Sequence, residues 1–135
     1  MATQLNLFTR RKAAKLPPAT EFATHCMIAD MLARWVSPGW RYTHIASGEF
    51  RTKATAGRLK RMGVKPGWPD FILLSPEGRP HFLELKRKGN TLTDEQASFA
   101  AWCHERRVVH VVAYSFNDAV DALKQWGAVR VAVAL

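Results

Sequence analysis

A chain of 135 residues, 47% of them hydrophobic, has the size and composition of one folded domain and excludes an intrinsically disordered one. Its 20 Lys and Arg stand against 11 Asp and Glu, and a formal charge of +9 on so small a domain points to a polyanionic partner, most often nucleic acid. Two isolated cysteines, Cys26 and Cys103, make no disulfide framework, and no run approaches the roughly 20 apolar residues that span a bilayer, so a soluble, intracellular protein with no membrane partner is expected.

Residues 1–19 read as a basic arm that closes on Pro17-Pro18 and lacks the continuous apolar stretch of a signal peptide; residues 20–135 read as a single domain. Thr20 is placed to cap a helix beginning at Glu21, with Phe22, Cys26, Ala29, Ala33 and Val36 as its buried face. "SPGW" ends that helix, and "RYTHIA" (41–46) alternates as a strand would. "FRTKATAGRLKRMG" predicts a basic helix with Leu59 and Met62 turned inward and Gly63 as its stop. "DFILL" (70–74) predicts a strand covered on both faces, "SPEGRP" a turn, and "HFLELKR" (81–87) a second strand. Thr93 and Gln96 form a capping box for a helix reaching about Arg106. "VVHVVAY" (108–114) reads as a third central strand. Ser115 caps a helix to Trp126 with Gly127 after it, and "VRVAVAL" reads as a last strand or extended tail. The order α–β–α–β–β–α–β–α–β defines a mixed α/β domain.

Chemistry concentrates in "GWPDFILLSPEGRPHFLELKRK", residues 67–88. Alternation puts Phe82, Glu84 and Lys86 on one face of their strand. A hairpin centred near Glu77-Gly78 sets Asp70 opposite residue 84, 85 or 86, so Asp70 lies close to Glu84 and Lys86. Two adjacent carboxylates repel unless something positive lies between them, and Mg²⁺, which takes carboxylate, water and phosphate oxygens, is one solution. A lysine beside it can hold a water or meet charge building on a phosphate oxygen. Together these groups are equipment for phosphodiester hydrolysis. Arg51, Lys53, Arg58, Lys60, Arg61 and Lys65 surround the basic helix, and Arg87 and Lys88 extend the patch beside Lys86; nucleic-acid phosphates are the obvious partner. Trp68 can stack on a base but reads first as core. The adjacent pairs His25-Cys26 and Cys103-His104 lack the ligand gap of a zinc site, and Cys103 and His104 point apart as a protease pair would not.

Asp70 followed by Glu84-x-Lys86 resembles the signature of the PD-(D/E)xK nuclease superfamily, and the surrounding segments resemble its VRR-NUC branch. Those segments are "RTKATAGRLKRMGVKPGWPDFIL", "FLELKRKGNTLTDEQASFAAW" and "VVHVVAYSFNDAVDALKQW", and the resemblance covers roughly residues 20–126. It implies a restriction-endonuclease-like core with a mixed central sheet flanked by helices. It implies Asp70, Glu84 and the Leu85 backbone carbonyl as metal ligands, Lys86 acting on the attacking water, and Gln96 supporting the site. Glu21 matches an additional acidic position, catalytic and a further metal ligand. Ser47-Gly48 departs from an asparagine-glycine often found before the basic helix. The reading is a Mg²⁺- or Mn²⁺-dependent endodeoxyribonuclease leaving a 5′-phosphate. The short standalone form resembles phage and bacterial enzymes that cut branched DNA such as Holliday junctions as homodimers, in the cytoplasm of a bacterium or a phage-infected cell. Two other readings are a non-catalytic nucleic-acid-binding module and a nuclease of flap, duplex or single-stranded DNA; a restriction-type enzyme is less favoured, because the chain is short for a separate recognition domain.

Overall fold

A computed structural model describes residues 20–46 and 52–130. The elements are α1 (Glu21–Trp35), β1 (Arg41–His44), α2 (Lys53–Arg61), β2 (Phe71–Leu74), β3 (Pro80–Leu85), α3 (Asp94–Glu105), β4 (Val109–Ala113) and α4 (Phe116–Trp126). The strands lie in the order β1-β2-β3-β4; β1–β2 and β2–β3 are antiparallel, β3–β4 parallel. The short "SPEGRP" turn forces the antiparallel hairpin, whereas the crossover from β3 to β4 carries α3, as a parallel pair requires. Among the described residues β4 is therefore an end strand, not a central one. The expected final strand is described only as far as Val129, which bridges Val36 antiparallel, and Arg130; residues 131–135, like the 1–19 arm, lie outside the described residues.

Side-chain alternation divides β3 between two layers. Leu83 and Leu85, with Phe71 and Leu73 of β2, join Ile28 and Leu32 of α1 and Val120 and Leu123 of α4 in one core. Each such side chain contributes roughly 1.5–3 kcal/mol when fully buried. On the other face Phe82 meets the edge of Phe99 from α3, ring centroids 5.1 Å apart, and Glu84 meets Gln96. Helices α1 and α4 thus cover one side of the sheet and α3 the other. All four helices among the described residues have their N-cap hydroxyl in place: Thr20, Thr52, Thr93 and Ser115 accept from Ala23, Thr55, Gln96 and Asp118 N–H respectively. Gly127 ends α4 in the left-handed conformation at φ 76°.

Three expectations about burial are corrected. The inward face of α1 is Thr24, Ile28, Met31 and Leu32, with Ala29 of the expected face packed against the same core, while Phe22 is 78% exposed. The stripe containing Phe22 and Ala33 is rotated away from the sheet. In α2 Leu59 is half-buried and Met62 is exposed; this helix has no buried residue along Lys53–Arg61. Strand β2 is fully covered on one face only; on the other Ile72 is half-buried and Leu74 exposed.

Gly67 places the site loop against α3. Its φ is +88°, and a Cβ there would lie 2.6 Å from the backbone of Glu95. Gly63, at φ +100°, has open space where its Cβ would stand. Gly67→Ala is therefore expected to destabilise the domain by about 3 kcal/mol and Gly63→Ala by about 1 kcal/mol, since the first combines a clash with backbone strain and the second has strain alone. Urea unfolding midpoints of the two variants check this ordering.

Candidate active site

The Pro-Asp pair ends the hairpin ladder in a defined way. Lys86 N–H donates to the Ala113 carbonyl at 2.9 Å, so even positions of β3 bond to β4 and odd positions face β2. The pairing Phe71↔Leu83, continued one step, sets Asp70 opposite Glu84, which is the register among the three left open by the sequence. The next step sets Pro69 opposite Leu85. Proline has no N–H to give the Leu85 carbonyl. The Leu85 N–H in turn donates to Asp70 Oδ2 at 2.7 Å, so a side chain replaces the ladder partner. The ladder thereby opens where a carbonyl and a carboxylate meet at the sheet's end. Lys86 and Arg87, expected within β3, come just after it.

Glu84 is buried, and its Oε1 accepts from Gln96 Nε2 at 3.1 Å. Gln96 Oε1 accepts the Thr93 N–H at 2.9 Å, so this one side chain closes the capping box and holds Glu84 at once. Glu21, in the first turn of α1, accepts from Arg87 N–H at 3.0 Å and from Asn90 at 3.5 Å, fastening the loop after β3 to α1. Its charge is felt at both Asp70 and Glu84. Burial pushes the Glu84 carboxyl up to about 8, the neighbouring Asp70 charge adds to this, and the Lys86 ammonium opposes it. Burial also raises Asp70, against the Leu85 N–H and the imidazoles of His25 and His44, which lower it. Asp70, Glu84, Lys86, Gln96 and Glu21 are therefore one neighbourhood. The two central carboxylates carry an electrostatic strain that a cation between them would relieve, so the donor set fits a divalent ion.

Two histidines stand at the same place: His25, set aside in the sequence because its neighbour Cys26 makes no zinc pair, and His44, which the sequence did not single out. His25 Nδ1 is 3.9 Å from Asp70 Oδ1, and its ring stacks on Phe71 with centroids 4.5 Å apart. His44 Nδ1 lies 2.7 Å from the Asp70 backbone carbonyl. One ligand atom from each of His25, His44 and Asp70 falls within 4.8 Å of the others, close enough to hold a metal ion. His25 is one turn from Glu21 on α1, which is the signal that could have found it; His44 is reached only through the β1–β2 pairing.

Lys53, Arg58, Lys60, Arg61 and Lys65 are exposed on or beside α2, and Arg87 and Lys88 are exposed beside the site; Arg51 and Ser47-Gly48 lie outside the described residues. Trp68 is not core: it is 41% exposed and leans on Phe82 and Phe99. With Trp102 these rings line an open cavity of about 680 Å³ on the Glu84 side of the sheet. No described helix is long and apolar enough to cross a membrane.

A mixed sheet of this order, with an aspartate facing Glu-x-Lys across a hairpin, is the architecture of the PD-(D/E)xK nucleases. The VRR-NUC domain profile matches residues 34–117. Two solved structures share the fold. One, a VRR_NUC domain protein, superposes with a TM-score of 0.65 at 22% identity over 82% of this chain and 89% of its own. The other, a VRR_NUC domain, gives 0.52 at 20% identity over 79% and 97%. Among curated proteins none matches. The chain belongs to the VRR-NUC family, a nuclease family. Its members bind DNA and generally use divalent metals. Glu21 and His25 precede the matched segment.

Proposed function

We propose that this protein is a Mg²⁺- or Mn²⁺-dependent endodeoxyribonuclease selective for DNA structure, with branched DNA such as a four-way junction as its preferred substrate. The observation that carries the reading is the pairing of buried Glu84 with Asp70 across the hairpin, beside Lys86. Asp70, Glu84 and the Leu85 carbonyl would hold the cation, with Glu21 adding charge from α1. The cation would supply Lewis-acid stabilisation of the phosphate and a more acidic water. Gln96 holds Glu84 in position through its amide. The Leu85 N–H fixes the Asp70 carboxylate. Lys86 orients the attacking water and meets charge on the phosphate, and in-line attack leaves a 5′-phosphate.

Symmetric cutting of two strands requires two sites, so residues 20–135 would act as a two-fold homodimer, with the 1–19 arm adding positive charge on DNA. An intracellular place of action, in a bacterium or an infected host, goes with that substrate.

Helix α2 supports DNA contact, since an exposed helix carrying Lys53, Arg58, Lys60 and Arg61 gains nothing from the core. Replacing Arg58, Lys60 and Arg61 together by Gln is expected to weaken DNA binding across sequences and to lower the slope of log affinity against log salt by about 3, roughly one for each phosphate that is no longer neutralised. Fluorescence anisotropy at several salt concentrations reads both.

The functional test is incubation of end-labelled four-way junction, flap, duplex and single-stranded DNA with Mg²⁺, Mn²⁺ or chelator. Metal-dependent cutting that favours the junction is expected. Preferential cutting of another DNA would keep the nuclease and discard junction resolution. Tight binding without cleavage under either metal would show a binding module instead.

A further inference from the structure

The α1 side of Asp70 has a chemistry of its own. Asp70 Oδ2 is held by the Leu85 N–H, while Oδ1 looks toward His25 Nδ1 at 3.9 Å. The two imidazoles meet edge to face with centroids 4.3 Å apart. A carbonyl oxygen can only accept, so the 2.7 Å contact with the Asp70 backbone puts a proton on His44 Nδ1. In the neutral ring the lone pair is then on Nε2. An imidazole fixed through its other nitrogen to a carbonyl is the arrangement found behind metal-ligating histidines, where it sets ring orientation and raises basicity. Here the bond is to the main chain of the residue whose side chain would be the third ligand.

We propose that His25, His44 and Asp70 form a cation site of their own beside the catalytic carboxylates, suited to a borderline transition ion such as Co²⁺ or Zn²⁺ rather than Mg²⁺ or Mn²⁺. Ligand chemistry decides the ion. Imidazole nitrogens suit later first-row metals, and Mg²⁺ demands oxygen and keeps its waters. One candidate ligand atom from each residue lies within 4.8 Å of the others, and metal–ligand bonds near 2.1 Å would require side-chain rotations that draw the three to a spacing of roughly 3.4 Å. Asp70 then serves two positions, the nitrogen-rich one with His25 and His44 and the oxygen-rich one with Glu84. Two of the three ligands differ between the positions, so the positions separate by metal and by mutation.

The test uses the full chain and metals alone, with no DNA. Co²⁺ binding is followed by visible absorption, binding of diamagnetic Zn²⁺ by proton NMR of the histidine rings, and Mg²⁺ binding by calorimetry. In the wild-type protein Zn²⁺ is expected to shift the ring signals of His25 and His44 and to leave those of His81, His104 and His110 in place, a result that depends on no variant folding. His25→Gln and His44→Gln are each expected to weaken Co²⁺ binding at least tenfold while Mg²⁺ affinity stays within twofold. Glu84→Gln is expected to do the reverse. Unshifted His25 and His44 signals, or histidine variants that bind Co²⁺ as tightly as wild type, would overturn the site. A parallel loss of Co²⁺ and Mg²⁺ in the histidine variants would also overturn it, because the rings would then only position Asp70. Cobalt binding of the expected kind with no Mg²⁺ or Mn²⁺ bound at Glu84 would leave this site standing and count against the nuclease reading alone.

Discussion

Asp70→Asn and Lys86→Met are each expected to lower metal-dependent DNA cleavage by at least about a thousandfold while leaving DNA affinity within about threefold. The choice of asparagine matters. Its amide oxygen can still accept the Leu85 N–H that Asp70 Oδ2 accepts at 2.7 Å, so the open end of the hairpin keeps its partner and only the charge is lost. Alanine would leave that N–H without its acceptor and mix a folding defect into the rate. Lys86 sits after β3 with its backbone N–H bonded to Ala113 whatever its side chain, and methionine keeps the length of the stem. On the proposed reading DNA affinity would rest on the exposed residues Arg58, Lys60, Arg61 and Lys88, which neither change touches. Single-turnover cleavage with saturating protein separates the chemical step from binding. Cleavage within tenfold of wild type for Asp70→Asn would remove the carboxylate pair from the mechanism.

How far this site could be read from the sequence follows from the range of the interactions that build it. The hairpin was legible because "SPEGRP" is a strong turn and a two-residue period fixes the face, so the approach of Asp70 to Glu84 followed to within one residue of register. Gln96 was legible as a capping-box partner, because that motif is local, whereas a place beside Glu84 was implied only by the family resemblance. The α1 face was not. Its sequence carries two apolar stripes, one through Phe22, Cys26 and Ala29 and the other through Ile28, Met31 and Leu32, and periodicity alone does not say which will meet Leu83 and Leu85. Met62 failed for a similar reason: α2 has no buried residue, so an apolar position on it has no core to turn toward. Trp68 follows a glycine at φ +88° that presses the loop on α3 and leaves the indole at the rim of a cavity, which only tertiary packing reveals. The His25–His44 pair was invisible, because nothing local links a helix residue to a strand end until β1 pairs with β2.

The stability of the metal-free protein is expected to fall as pH rises from about 5 to 8.5, and Glu84→Gln is expected to remove most of that fall. The sign follows from proton counting. Glu84 titrates at its ordinary 4.5 in the unfolded chain and at about 8 in the folded one, raised first by burial and then by the charge of Asp70. Between those values the folded state binds more protons than the unfolded state, and stability drops with increasing pH until the folded carboxyl has ionised. Above pH 8 the buried charge remains as a standing cost, on the order of a few kcal/mol, or roughly 10 °C in melting temperature for a domain of this size. Glutamine keeps an acceptor for Gln96 and cannot ionise. Burial lowers His110, which contributes the opposite slope near its ordinary range, but His110 is common to both proteins and cancels in their difference. Melting curves in chelator across this range, wild type beside Glu84→Gln, isolate the carboxyl. Repeating them with Mg²⁺ adds the ligand: a cation takes the place of the proton, so the wild-type curve should flatten and its separation from the chelator curve widen with pH, while Glu84→Gln gains little. Parallel curves for the two proteins in chelator would mean that Glu84 is ionised throughout this range without a cation, and the electrostatic case for a metal between Glu84 and Asp70 would lose its basis.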